Sequence, residues 1–137
     1  MGANVTEDPL TNLLLDAQQI DRALLADALI DILGIDKSSG QIVPKPGFNN
    51  LKAKKKVLAF LIGKKAAKLI GVTESESVPS IQLTTEVGIP DGTVRPKLRE
   101  LLKERVISQD NSSDEYYIAD FQIPIAISVL EGEEEHD

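Results

Sequence analysis

From residue 8 onward, apolar residues recur at spacings of three and four. Leu10, Leu13, Leu14, Ala17, Ile20, Leu24, Ala28 and Ile32 form a stripe, with Asp16, Asp21, Asp27 and Asp31 largely outside it. The pattern predicts a helix over 8–33, with a break near 19–21. Asp8 is suited to cap it, Pro9 to its first position, where no amide N–H is needed, and Gly34 to its end. The following IDKSSGQIVPKPGFNN reads as a turn over 37–40, a short strand over 41–43 and a Pro/Gly connection through Gly47.

Residues 51–71, LKAKKKVLAFLIGKKAAKLIG, predict a second helix with Gly71 as its C-cap. Leu51, Leu58, Leu61, Ile62 and Leu69 share one arc. Lys54 and Lys65 lie at its margin, where their stems are expected on apolar surface and their ammonium groups in water. Phe60 and Ile70 point elsewhere, so this helix is expected to touch more than one neighbour. Gly63 either costs roughly 1 kcal/mol against alanine or marks close packing. After a polar connector over 72–80 the elements shorten. A helix over 80–87 offers Ile81, Leu83, Thr84 and Val87 to the interior, and Gly88-Ile89-Pro90-Asp91-Gly92 forms a turn. A helix over 93–105 carries Val94, Leu98, Leu101 and Leu102 on one side, capped by Asp91 or Thr93 with Pro96 in its first turn. Two β-prone runs, over 106–109 and 115–119, flank DNSSD as a hairpin. Pro124 argues against a central strand in the apolar segment 121–130, which is expected to form a short helix.

Composition changes this picture in two respects. The chain of 137 residues is long enough for one ordinary core and contains no cysteine, which excludes disulfides and thiolate metal sites and fits a reducing cytoplasm. No apolar run reaches the roughly 18 residues of a membrane span, and the N-terminus lacks a signal pattern. The Asn4-Val5-Thr6 sequon is therefore read as chance. The net charge of −7 is unevenly distributed. Residues 1–50 carry 3 basic and 7 acidic side chains, residues 51–105 carry 12 and 6, and residues 106–137 carry 0 and 9. Because steering depends on local surface, the basic middle matters more than the overall sign.

Catalytic chemistry finds little support. The only histidine, His136, sits in the acidic tail, there is no GxxxxGK[ST] phosphate loop, and the carboxylates lack HExxH or EF-hand spacing. The expectation is a non-enzyme with no cofactor and no metal.

The stretch TEVGIPDGTVRPKLRELLKERVI has an apolar residue before a turn glycine, a Thr-Val pair opening the next helix, leucines at helical spacing and a basic-apolar exit into a strand. With its flanks, over 51–120, it resembles the winged helix-turn-helix superfamily. That resemblance implies a mainly α fold with a small β-hairpin (α+β). Residues 1–50 add an N-terminal helix with a connecting hairpin or loop, 121–131 a short C-terminal helix, and 132–137 an acidic tail disordered by charge. It also implies duplex DNA binding, as a transcriptional regulator, with the helix over 93–105 in the major groove. Leucines anchoring one side leave a face centred on Gly92, Pro96, Arg99 and Lys103. Base reading would fall to Thr93, Arg95 and Arg99. Lys97 and Lys103, with Lys52, Lys54, Lys55 and Lys56, would neutralise phosphates. A homodimer through 8–33 and 121–130 would set two such helices apart. Against this stands the wing, which offers Asp110, Asn111, Ser112, Ser113, Asp114 and Glu115 where such wings carry cations. With Asp91 and Glu100, it supports a competing reading as a protein-interaction module.

Overall fold

The computed structural model describes residues 8–14, 17–111 and 113–132, and for 17–20 the backbone alone. The sequon, Asp16, Ser112, His136 and nearly all of the acidic tail lie outside the described residues. The chain forms a mainly helical α+β arrangement with two small antiparallel sheets.

A 3-10 turn, Pro9–Leu13, capped by Asp8 and Leu14, forms an N-terminal arm at the start of the described residues. Then come α1 (Ala17–Leu29), β1 (Leu33–Ile35), β2 (Ile42–Pro44), α2 (Pro46–Asn49), α3 (Ala53–Ile70) and β3 (Val78–Pro79). The chain continues through α4 (Ser80–Leu83), wound on by a π turn over Thr84–Gly88, and α5 (Asp91–Lys103). It closes with β4 (Ser108–Gln109), β5 (Glu115–Tyr117), a 3-10 turn Asp120–Gln122 and α6 (Ile123–Glu131).

Helix α3 is the axis. Val57 through Ile62 are six consecutive buried residues, so the helix is enclosed on all sides, with α1, α5, α6 and strands of both sheets around it. Gly63 answers to close packing, since a Cβ there would lie 3.1 Å from Ile42 Cδ1 and 3.1 Å from Leu33 Cδ2 of the β1–β2 hairpin. Gly71 caps α3 in the left-handed conformation, φ 97°, as the sequence predicts.

Several expectations are corrected. The helix over 8–33 is three elements: the arm, α1 and β1. Its end comes at Leu29 because Lys45 captures the departing carbonyls, its Nζ donating to Ile30 O at 2.8 Å and its N–H to Ile32 O at 2.9 Å. Gly34 therefore lies in a strand paired with Val43, not at a helix stop. Among the described side chains of α1 the buried ones are Leu25, Ala28 and Leu29, while Leu24 is exposed, as are Leu10, Leu13 and Leu14 before it. The connection through Gly47 contains α2, which buries Phe48. The connector over 72–80 ends in β3, an edge strand pairing Val78 with Tyr116, so the second sheet has three strands in the order β3-β5-β4. Ile81 faces water at 67% exposure, whereas Leu83 is fully buried.

The C-terminal helix begins at Ile123, one residue before Pro124, and lies against α1 and α3. It is fixed by a buried polar side chain. Gln122 Oε1 accepts from Ser108 Oγ at 2.8 Å and from the Ala119 N–H at 3.0 Å, while its Nε2 donates to Arg105 O at 3.2 Å. Leaving such an amide unpaired would cost about 1–3 kcal/mol. Lys65 is a second buried polar group. Its ammonium pairs with Glu76 at 3.2 Å and with Asp120, rather than standing in water as its margin position suggested. Burial opposes its charge, but the two carboxylates prevail and raise its pKa.

Candidate nucleic-acid interface

The segment between α4 and α5 turns at Gly88, whose φ of 78° a side chain would resist. Pro90 is the cap residue of α5, because its carbonyl accepts the N–H groups of Thr93 (2.9 Å) and Val94 (3.0 Å). The helix therefore starts at Asp91, two residues earlier than expected, and neither Asp91 nor Thr93 caps it. Pro96 falls in the second turn rather than the first. It supplies no N–H to the Gly92 carbonyl, a loss softened because Gly92 is exposed to water.

Val94, Leu98 and Leu101 are at most 1% exposed, fastening α5 against α3 and α4. Of the opposite face, Gly92, Arg99 and Lys103 are exposed, as is Arg95 beside them, while Pro96 is half-buried. Neither the arm, α1 nor α6 is among the principal neighbours of α5. The orientation inferred from leucine spacing is the observed one.

The cations on and near that face are another matter. Arg95 was expected free for base contact. Instead its Nε donates to both Asp91 carboxylate oxygens (3.1 and 3.0 Å), its Nη2 to Asp114 Oδ2 (2.9 Å) and to Ser80 Oγ (3.0 Å). Asp114, between β4 and β5, also accepts from the Tyr116 hydroxyl at 2.9 Å and from the Ser80 hydroxyl. One side chain of α5 thus ties the start of α4 to the hairpin. The Ser80 hydrogen bond, with Arg95 and Tyr116 behind it and partial burial opposing, holds the Asp114 carboxyl below the usual carboxylate range. Burial, then Asp114, pushes the Tyr116 hydroxyl up. Asp114 and Asp91 raise the already high pKa of Arg95.

The lysine run over 54–56 divides as successive helical positions must, about 100° apart. Lys54 reaches α5 and pairs with Glu104 at 2.9 Å and Glu100 at 3.5 Å. Burial opposes its charge, but the glutamates raise its pKa on balance. Lys55 is buried and donates to Gly132 O beyond α6, so it is withdrawn from any phosphate surface, contrary to expectation. Lys56 is half-buried, and Lys52 is exposed. Lys97 lies 3.7 Å from Glu100, and Thr93 is half-buried. Among the described residues, Arg99 and Lys103 form no ion pair.

Ser80 and Tyr116 carry no role in the sequence reading, and Asp114 enters it only as one of the acids of the wing. The acidic character of the hairpin is plain there, but the pairing of Asp114 with Arg95 crosses 19 residues, and no local spacing announces it. No group of three His, Cys, Asp or Glu suited to a metal ion is found among the described residues, and none of their helices is long and apolar enough to cross a membrane. Compared with known proteins, the chain matches no family model, no curated protein and no solved structure.

Proposed function

We propose that this is a winged helix-turn-helix protein that binds duplex DNA as a transcriptional regulator, with α5 as its recognition helix and the β4–β5 hairpin as its wing. Its mechanism is site occupancy without chemistry. The observation carrying this reading is that α5 is anchored by Val94, Leu98 and Leu101 and presents, on its outward side, Arg99 and Lys103 with no carboxylate partner among the described residues. A helix so mounted matches the major groove in diameter, and arginine on guanine is the commonest specific contact.

The residue roles are redistributed by the ion pairs. Arg99 takes the base-reading role, with Thr93 of the first turn as a second polar contact, and Lys103 meets phosphate. Arg95 is first a brace for the wing and reaches DNA only by exchanging Asp114 for another acceptor. Lys54 and Lys97 contribute little charge while paired with Glu100 and Glu104.

Selection from a random duplex library tests the proposal. Enrichment of a defined site by the wild type, lost in Arg99→Ala with its fold intact, is the expected result. A library without enrichment, at low salt, would overturn it. One observation favours a second reading, as a protein-interaction module. Asp91, Glu100, Glu104 and Asp114 interleave with the cations of this face and neutralise several of them. That reading predicts capture of a protein partner with no retention of duplex DNA.

A further inference from the structure

Four of the five residues 52–56, at the start of α3, are lysines. No acidic residue stands in the first turn of that helix. Lys54 leans away to Glu100 and Glu104 at the end of α5. Lys52 stands three and four positions before Lys55 and Lys56, the spacings that bring Cβ atoms to roughly 5–6 Å of one another on a helix. Lys52 is exposed, Lys56 half-buried and Lys55 buried.

The chain leaves α6 at the same place. Helix α6 packs along α3 and ends at Glu131. Gly132 follows in an extended conformation, φ −68° and ψ 170°, and its carbonyl accepts from Lys55 Nζ. Residues 133–137 read EEEHD, four carboxylates in five positions. An extended chain covers at most about 3.5 Å per residue, so Glu135 stays within roughly 10 Å of the Gly132 backbone. That reach is close to the screening length of about 8 Å at physiological salt. We propose that the acidic segment 133–137 lies against the lysines that open α3 and occupies Lys52 and Lys56.

Charge and tether favour this occupant over a separate anionic molecule. The segment carries almost nothing but carboxylates, and the stretch it adjoins carries almost nothing but ammonium groups. A short tether holds it there at an effective concentration on the order of mM, which a free anion does not reach at ordinary dilution. Negative charge is also favoured by the dipole at the first turn of a helix. The consequence for duplex binding rests on the DNA-binding reading. Phosphate gains Lys52 and Lys56 only by displacing the segment, which therefore acts as a built-in competitor for them.

The first measurement uses the full chain and no nucleic acid, so its outcome is separate from that of the DNA-binding proposal. Lysines are acylated with a limiting, anionic amine reagent at low salt, and the rate at each position is read by peptide mass spectrometry. A variant with Glu133→Gln, Glu134→Gln and Glu135→Gln keeps the chain length. Its Lys52 and Lys56 should react about 3-fold faster than in the wild type, because the segment no longer covers them or repels the reagent. Lys37, exposed in the turn between β1 and β2, should not change. High salt should erase the difference. Glu74→Gln with Glu86→Gln, two exposed acids elsewhere, controls for overall charge and should leave Lys52 and Lys56 as they were. Equal rates in wild type and variant, an effect the control reproduces, or protection that fades on dilution, as a second copy's segment would give, would each overturn the contact. In a second measurement the triple variant should bind a random-sequence duplex about 3–10-fold tighter at low salt. Equal affinities would overturn the competition, whereas a duplex bound by neither protein would refute the DNA-binding reading and leave the contact standing on the lysine rates.

Discussion

The α5 face and the surface where α1 meets the end of α3 differ in what folding leaves exposed. On the α5 face the sequence supplies many cations, and folding pairs several of them: Arg95 with Asp91 and Asp114, Lys54 with Glu100 and Glu104, Lys97 with Glu100. Where α1 meets the end of α3 and the start of α6, the sequence supplies apolar residues and folding leaves several uncovered: Ile30, Ile70 and Phe121 face water, as do Leu10, Leu13 and Leu14 of the arm. A count of side chains in sequence therefore overstates available charge on one face and understates available apolar surface on the other. What a surface offers is the remainder after internal pairing.

The largest expected effect strikes both faces together. Leu98 is 1% exposed between α5 and α3, and Leu98→Ala should cost about 2–5 kcal/mol, read as a lower midpoint in urea with loss of function on either side. A smaller change confined to α5 would mean that the two faces are less coupled than one shared core implies.

Next comes the separation of paired from unpaired cations. Arg99→Ala with Lys103→Ala should weaken duplex binding by about 10–100-fold in fluorescence anisotropy at unchanged melting temperature, because both side chains are exposed. Arg95→Ala should weaken it less, under about 5-fold, and should also lower the melting temperature through loss of the wing brace. Equal affinity losses for Arg95 and Arg99 would dissolve the distinction. Asp114→Asn sharpens it from the other side. Loosening Arg95 and removing a negative charge should tighten binding by about 2–5-fold at low salt.

The smallest effect is that of acid. Because the folded-state pKa of Asp114 lies below its unfolded value, its contribution is fully present at neutral pH, begins to fade near the unfolded value of about 4, and is lost as pH falls through the folded one. The gap in melting temperature between wild type and Asp114→Asn should thus be widest near neutrality and close below about pH 4. A gap that widens on acidification would contradict the assigned sign.

The sequence was legible where the signal is local. The helix over 51–71 with its Gly71 cap, the turn at Gly88, the inward leucines of α5 and the hairpin after it all follow from spacing and turn chemistry, within a residue or two at their ends. Illegible features depend on distant partners. Leu33 reads as the end of a helix and Gly34 as its stop, and only Lys45 and the β2 strand decide for a strand there instead. Val78 and Pro79 look like connector until Tyr116 and Glu115 pair with them. Lys55 is indistinguishable from Lys54 until Gly132 takes its ammonium. Of the candidate DNA contacts, the direction of the face was readable and its charge was not.

The central claim, that a face of few unpaired cations engages the phosphate backbone, is tested most directly by the salt dependence of duplex binding. Plotting log affinity against log salt for the wild type should give a straight line of slope about −2 to −4, the mark of a few neutralised phosphates rather than a dozen. The Arg99→Ala, Lys103→Ala variant should flatten it by about 1, the share of the Lys103 phosphate contact. A duplex left unbound even at the lowest salt, or a slope the variant leaves unchanged, would contradict the account.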